Sequence, residues 1–533
     1  MVILGFYTNL QQPISDRQVP QHHQDRSREN SQQHGKPKKQ DKRLILRTNS
    51  HQSLFLQKIA RIKAFLFKQD WHNRVAPVYS QCYRFNSNAI RIRFQCQSVG
   101  DIMQPDASHT SPELTQARDA LARGDLQQAE AICLRLLNTD PDHAPTLHLG
   151  SMLLYRQGNM VGAIARMMRA IELEPGRAEW LNDLGNLLAA HQQPDQAAKF
   201  FQHALMLTPE NAVIWNNLGA MRVKLGQTEL AGEAFEHAVA LDETLVDAWA
   251  NYANWLTGQG REHDAAECVL RAFVAAPSAG QPLLMRGMAL ARLGRNQEAA
   301  NCFQQHLQQH PNDPTAQHLF HACSGDAVPE RASDAYIRTK YDDYAENYEA
   351  HQEEMAYRGH LLIASAVDAS CGQNLIALDA GCGTGLVASG IARHCKSITG
   401  VDLSEKMLLQ ARGLYQTLEQ GEITTYLAAH PASFDLITAA DLLIYFGALQ
   451  RFNQLAFDSL RPGGHLVATI EAPIDLPDGF QLQANGRYRH GEHYVAQSLN
   501  AAGFERIDIR PDHLRQEGGE QVACWLVTAH KPA

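Results

Sequence analysis

Between residues 109 and 313 apolar positions recur at helical spacing in blocks of 34 residues, each split into two amphipathic segments by a turn. Pro141, Pro175, Pro209, Pro277 and Pro311 share one register, with Glu243 in the remaining place. Ala129, Ala163, Ala197, Ala231, Ala265 and Ala299 share another, where two helices cross so closely that only a small side chain fits. Gly124, Gly158, Gly226, Gly260 and Gly294 mark the turns, and Gln192 stands where a sixth glycine is expected. Phe201, Phe235 and Phe303 at one position, with Trp215 and Trp249 at another, are large enough to fill the space between helices. Six blocks in register predict a stack of helical hairpins, closed by a capping helix at residues 314–323.

The pattern then changes. Residues 324–333 (SGDAVPERAS) read as a linker, and residues 334–351 form an aromatic, acidic segment with Tyr341, Tyr344 and Tyr348 on one helical face. Residues 375–388, LIALDAGCGTGLVA, run from four apolar positions through Asp379 to Gly381, Gly383 and Gly385, then back to apolar positions at helical spacing. That order predicts a buried strand, a tight turn and a helix. Further strands are expected at 398–402, 434–441, 465–471, 504–510 and 522–529, with a helix at 404–418. The expected architecture is an all-α repeat solenoid followed by an α/β Rossmann-like domain over 334–533.

Upstream the chain is different in kind. Residues 11–40 are almost devoid of apolar side chains, 54–67 could form a basic amphipathic helix, and 90–94 alternate like a lone strand. Residues 1–102 carry 17 Lys+Arg against 6 Asp+Glu, or +11. The remainder, 31 against 51, carries −20, which sums to the overall −9. A basic arm for nucleic acid or membrane and a transit peptide are both conceivable. The preferred expectation is an extension outside the folded regions, with Met103 as the functional start. An acidic body argues against nucleic acid as a partner. The ten cysteines form no C-x-x-C pair, which suits reduced thiols in a cytoplasm, and no apolar run is long enough to span a membrane.

The glycine turn carries the chemistry. A dinucleotide fingerprint fails because Leu386 occupies its sixth position, and no phosphate-loop Lys is present. An acid beside the glycines, Asp379, opposes a pyrophosphate and suits a cationic ligand. A second, Asp402, ends the next strand where an acid suits ribose hydroxyls. Together with LRPGG at 460–464 and a final antiparallel strand, these residues resemble class I S-adenosylmethionine-dependent methyltransferases. The 34-residue blocks resemble tetratricopeptide repeats, and the combination is similar to bacterial repeat-containing methyltransferases of the type 11/12 group.

That resemblance implies S-adenosyl-L-methionine as cofactor, held by Asp379, Gly381, Cys382, Gly383, Asp402, Leu403, Glu422 and Asp441, with Tyr344 of the aromatic helix closing over it. Candidates to serve the acceptor are His490, Tyr445 and Tyr488, near the carboxyl edge of the strands, with GRYRHGEHY at 486–494, which holds His490 and Tyr488, dense in acceptor-type side chains. Glu471 and His493 are further candidates, and no metal is expected from His490 and His493 without a third ligand. The repeat groove implies a protein or peptide partner, with Asn182, Asp183, Asn216, Asn217 and Asn251 as candidate clamps. Three functions remain open: methyl transfer to an acceptor recruited by the repeats, a non-enzymatic scaffold with a relic domain, and a small-molecule methyltransferase whose repeats serve assembly.

Overall fold

The computed structural model describes residues 111–276, 281–473 and 478–533. The expectations for 11–40, 54–67, 90–94 and Met103 lie outside the described residues.

The first half is a run of helical hairpins: α1 (Pro112–Ala122) with α2 (Leu126–Thr139), α3 (Ala144–Arg156) with α4 (Met160–Leu173), α5 (Ala178–Ala190) with α6 (Pro194–Leu207). It continues with α7 (Ala212–Lys224) and α8 (Thr228–Leu241), α9 (Val246–Gly258) and α10 (Glu262–Ala275), α11 (Leu283–Arg292) and α12 (Asn296–Gln309), then α13 (Pro314–Ser324) as a cap. The register alanines are all buried. Phe201, Phe235 and Phe303 sit on Gly185, Gly219 and Gly287, where an added Cβ would lie 2.5, 2.7 and 2.6 Å from the ring. Trp215 and Trp249 act differently: each indole N–H donates to the carbonyl of the preceding loop, Pro209 at 2.8 Å and Glu243 at 2.9 Å. Gln192 adopts the left-handed conformation of its glycine counterparts, at φ 60°.

The asparagines form a ladder along the stack. Asn217 donates to Asn182 at 3.1 Å and to Asn186 at 3.3 Å, Asn251 donates to Asn216 at 2.9 Å, and His148 pairs with Asp183 at 2.8 Å. The expected peptide clamps therefore hold neighbouring repeats to each other.

The second half opens with α14 (Asp334–Tyr344), α15 (Tyr348–Glu354) and α16 (Gly359–Ser370). Seven strands follow in the order β3-β2-β1-β4-β5-β9-β8. They are β1 (Leu375–Ala380), β2 (Cys395–Asp402), β3 (Thr417–Gln420), β4 (Phe434–Ala439), β5 (Leu460–Glu471), β8 (Glu505–Glu517) and β9 (Glu520–His530), while β6 (Phe480–Leu482) and β7 (Tyr488–His490) make a separate hairpin. Strands β1 to β5 pair in parallel, and β9 inserts antiparallel between β5 and β8. This is the class I methyltransferase arrangement that the sequence predicted.

Two expected elements differ. After α17 (Leu386–Ile391), the helix expected over 404–418 shrinks to α18 (Glu405–Gln410), and β3 takes the end of that span. Gly413 at φ 90° breaks the helix, and Tyr415 turns inward to reach Asp379. The strand expected at 504–510 continues to Glu517, so the polar loop reduces to a hairpin tip at Gly518 and Gly519, both at positive φ.

The linker is bound rather than free. The Glu330 carbonyl accepts from the N–H groups of Gly447 at 2.7 Å and Ala448 at 2.9 Å, and Ala332 N–H donates to the Tyr445 carbonyl at 2.9 Å. From the cap helix α13, buried His318 stacks on Tyr336 at 4.1 Å and bonds the Gly486 carbonyl at 2.9 Å. Repeats and sheet are thus joined through buried polar contacts, which keep their geometry because leaving them unmade is costly.

Candidate active site

Strand β1 ends in a glycine turn that β2 holds from beside it. The N–H groups of Gly381 and Cys382 both donate to the Val401 carbonyl, and Gly383 N–H donates to Asp402 Oδ2 at 3.0 Å. Gly381 and Gly383 lie at φ 68° and 54°, a region where a side chain is strained. Both line a narrow cavity with Asp402, Leu403, Met407, Glu422, Ile423, Asp441, Tyr341, Tyr348 and Tyr445. Asp402 Oδ1 accepts from Ser404 N–H at 2.8 Å, and burial raises its carboxyl above the usual range. Each of its oxygens keeps a further lone pair for a diol.

Glu422 follows β3 and caps α19 (Ile423–Ala429), accepting from Thr424 and Thr425 N–H, each at 2.9 Å. Arg331, which sequence reasoning missed, reaches it at 2.5 Å and also holds Asp334. Burial pushes Glu422 up, but these hydrogen bonds and Arg331 outweigh it and leave the carboxyl below its usual range. Asp441 stands two residues beyond β4 at φ 57°, uncommon for a non-glycine residue. Its N–H donates to Thr469 Oγ1 at 3.0 Å, and both its oxygens face Arg515, at 3.2 and 2.9 Å.

Arg515 belongs to a buried ionic lattice. It is 2 % exposed and contacts Glu471 at 3.0 Å and Glu517 at 2.5 Å as well as Asp441. Arg487 spans Glu471 and Glu517, at 3.2 and 2.5 Å, and Arg489 approaches Glu471 at 3.1 Å. Three guanidinium groups thus face three carboxylates.

A second cavity of about 650 Å³ lies between the last repeats and the catalytic sheet. Repeat helices α10, α11 and α13 wall one side, and α14, α15, the β6–β7 turn and the β8–β9 tip wall the other. Tyr341, Tyr348, Asp441 and Tyr445 line both spaces. The three rings meet edge to face, Tyr341 to Tyr445 at 5.9 Å and Tyr341 to Tyr348 at 6.2 Å. Tyr445 O–H donates to the Tyr341 hydroxyl at 3.0 Å.

Several sequence candidates sit elsewhere. Asp379 is buried behind the glycine turn, accepting from Tyr415 O–H at 2.7 Å and Thr438 O–H at 3.0 Å, and it lines neither cavity. Cys382 also lines neither, because its Sγ packs 2.9 Å from where a Cβ on Gly400 would stand. Tyr344 lines the larger cavity and not the narrow one. His490 is fully buried on β7, its Nε2 bonded to the carbonyls of Phe446 at 2.7 Å and Gly447 at 3.2 Å. Burial lowers its pKa to about 4. Tyr488 on the same strand face donates its hydroxyl to the Pro329 carbonyl at 2.7 Å. Neither lines the narrow cavity or the larger one, and His493 is exposed on the following helix. Tyr445 alone of the three acceptor-side candidates stands at the site.

Two family profiles match the chain. Residues 378–468 match the methyltransferase domain, and residues 147–355 match the cilia and flagella-associated protein 70 C-terminal domain, a repeat domain. No curated protein matches. Similar solved structures each cover one half. The Pseudomonas aeruginosa PilF structure is 22% identical, covers 38% of this chain and 93% of its own, and has a TM-score of 0.29. A Thermotoga maritima S-adenosylmethionine-dependent methyltransferase, described as a possible histamine N-methyltransferase, is 17% identical, with coverage of 37% and 99% and a TM-score of 0.30. The Burkholderia thailandensis 1,6-didemethyltoxoflavin-N1-methyltransferase, solved with S-adenosylhomocysteine, is 20% identical, with coverage of 39% and 93% and a TM-score of 0.32.

The chain therefore carries a tetratricopeptide-like repeat array followed by an S-adenosylmethionine-dependent methyltransferase domain. The narrow cavity's chemistry fits that cofactor: Asp402 for a ribose diol, Leu403 and Ile423 beside it for an apolar base, and a carboxylate with three aromatic rings for a sulfonium. Its volume is about 60 Å³, and Tyr341, Tyr348, Asp441 and Tyr445 join its lining to that of the larger chamber. No helix among the described residues is long and apolar enough to cross a membrane.

Proposed function

We propose that this protein transfers a methyl group to an acceptor held in the space between its repeats and its catalytic sheet. The observation that carries the reading is the ring formed by Tyr341, Tyr348, Tyr445 and Asp441, which lines both the cofactor cavity and the larger chamber. When bound, S-adenosylmethionine supplies an activated methyl group on a sulfonium whose leaving form is a neutral thioether. The tyrosine faces favour that cation, and residues that line both spaces stand where a nucleophile from the chamber would meet the methyl carbon in line.

Asp402 and Glu422 orient the nucleoside end, and Asp441 opposes the positive charge at the transfer point. The bound cofactor would supply its methyl carbon to the acceptor's lone pair, the carbon–sulfur electron pair remaining with the neutral thioether. A proton released by the acceptor passes to Asp441, the one acid common to both cavities, whose carboxyl burial raises. Tyr445 orients the acceptor through its hydroxyl, itself anchored to Tyr341. A protein partner on the repeat array is consistent with this scheme, since stacked repeats commonly present a binding groove. The small-molecule reading gains from the chamber's size, which lies within the range of small-ligand sites.

The test compares methyl label passed from S-adenosylmethionine into cell extract by wild type, Asp441→Asn and Tyr445→Phe, beside S-adenosylhomocysteine affinity. The expected result is labelling by wild type and at least ~10-fold less by Asp441→Asn. Equal labelling by all three would remove both residues from the reaction.

A further inference from the structure

The wall of the chamber opposite the tyrosine ring belongs to the repeats. Leu270 on α10 and Leu284, Met285 and Met288 on α11 stand at helical spacing and give that wall an apolar stripe between the polar side chains of His263, Glu267 and Arg292. Met288 is partly buried, with the rest of its surface open, whereas Leu284 and Met285 are buried behind it. Methionine is unbranched and adaptable, so such a wall follows the outline of an apolar guest.

The wall is held at a fixed distance from the transfer point. His318 of the last repeat helix stacks on Tyr336 of α14 and bonds the Gly486 carbonyl, tying the array both to the tyrosine helix and to the turn that carries Arg487. Four cationic side chains line the chamber, Arg292, Lys340, Arg487 and Arg515, against four acids, Glu267, Asp343, Asp441 and Glu517, so its charges balance. A chamber of about 650 Å³ accepts a group of small-molecule size and excludes a folded domain.

From these observations we infer that the repeats are a recognition wall of the active site itself: Met288 and its neighbours contact the acceptor, which presents an apolar group of small-molecule size to that wall. This rests on the methyl-transfer reading above and adds the acceptor's chemical class and the residues that select it. Such a group can come from a free small molecule or from a side chain of a polypeptide threaded into the chamber.

The experiment uses the full chain and methyl-labelled S-adenosylmethionine with cell extract, separated afterwards into acid-soluble and acid-precipitable fractions. Met288→Trp fills the chamber from the repeat side and should lower labelling at least ~10-fold, with S-adenosylhomocysteine affinity within about twofold of wild type. If Met288→Trp melts early, Met288→Ala decides: it cannot clash, and it should raise the extract concentration needed for half-maximal labelling while leaving cofactor affinity alone. Label in the soluble fraction identifies a free small molecule, and label in the precipitate a polypeptide side chain. Wild-type rates from both variants would overturn the inference, as would a wild type that binds S-adenosylhomocysteine and labels neither fraction. Failure of wild type to bind S-adenosylhomocysteine would instead sink the underlying methyl-transfer reading.

Discussion

Replacing Arg515 by leucine strands Asp441. Glu471 retains Arg487 and Arg489 at 3.2 and 3.1 Å, and Glu517 retains Arg487 at 2.5 Å. Asp441, by contrast, loses the guanidinium that faces both its oxygens. Removing one partner of a buried ion pair costs about 3–5 kcal/mol, because the remaining charge stays desolvated. In a domain of about 200 residues this corresponds to a fall of roughly 6–20 °C in Tm. The penalty has a defined pH sign. Burial already raises Asp441, and loss of Arg515, which lowers it, raises it further. A carboxyl whose folded pKa is raised destabilises the fold while ionised and relaxes as pH falls through that pKa. The deficit of Arg515→Leu should therefore be largest near about pH 7.5 and smaller near about pH 5. Denaturant unfolding of wild type, Arg515→Leu and Arg515→Leu/Asp441→Asn at both pH values is the assay. The double variant should recover part of the loss, as coupled neighbours do. A deficit below about 1 kcal/mol, or one unchanged between the two pH values, would refute the assignment of Arg515 as the counter-charge of Asp441.

Other consequences follow from the same geometry. Burial holds Asp379 up at about 6. Its ionisation thus opposes folding at neutral pH, so Asp379→Asn should stabilise the cofactor-free protein by up to about 3 kcal/mol there, with the gap closing as pH falls through about 6 towards the usual carboxyl value; melting curves across pH check this, and a gap that widens in acid would reverse the sign. Tyr341 of α14 and Tyr348 of α15 line the cofactor cavity, so both helices are expected to move as ligand enters. Hydrogen exchange over residues 334–354 should change on adding S-adenosylhomocysteine, and identical exchange in both states would contradict that movement.

The repeats were legible because each block must solve the same packing problem, so the small residue, the turn and the bulky ring return at one period. The glycine turn was legible for a similar reason: Gly381 and Gly383 occupy backbone conformations that other residues resist, and Asp402 ends the strand beside them. Parity was not legible. The cluster at 486–494 drew the sequence reading to Tyr488 and His490, yet on β7 these alternate residues share the buried face, while Arg489 takes the other and meets Glu471. Arg487, not either of them, lines the chamber. Asp379 reads either way, since an acid beside the glycines satisfies Tyr415 and Thr438 behind the turn as well as it could satisfy a ligand before it. The chamber itself had no local signal. His318 and Gly486 are 168 residues apart, and Met285 and Met288 look like any other core stripe until the sheet is placed against them.

The central claim is that the catalytic half binds S-adenosylmethionine through the cavity below the glycine turn, with Asp402 on the ribose. Titration calorimetry of S-adenosylhomocysteine into the full chain addresses it without knowledge of the acceptor. Charge-assisted hydrogen bonds from a diol to Asp402 are worth about 1.5–3 kcal/mol, so wild type should bind one ligand per chain. Asp402→Ala, which also leaves the Gly383 and Ser404 N–H groups without their acceptor, should melt lower but cooperatively and bind at least ~10-fold more weakly. No binding by wild type, or equal affinity in the two proteins, would contradict the account.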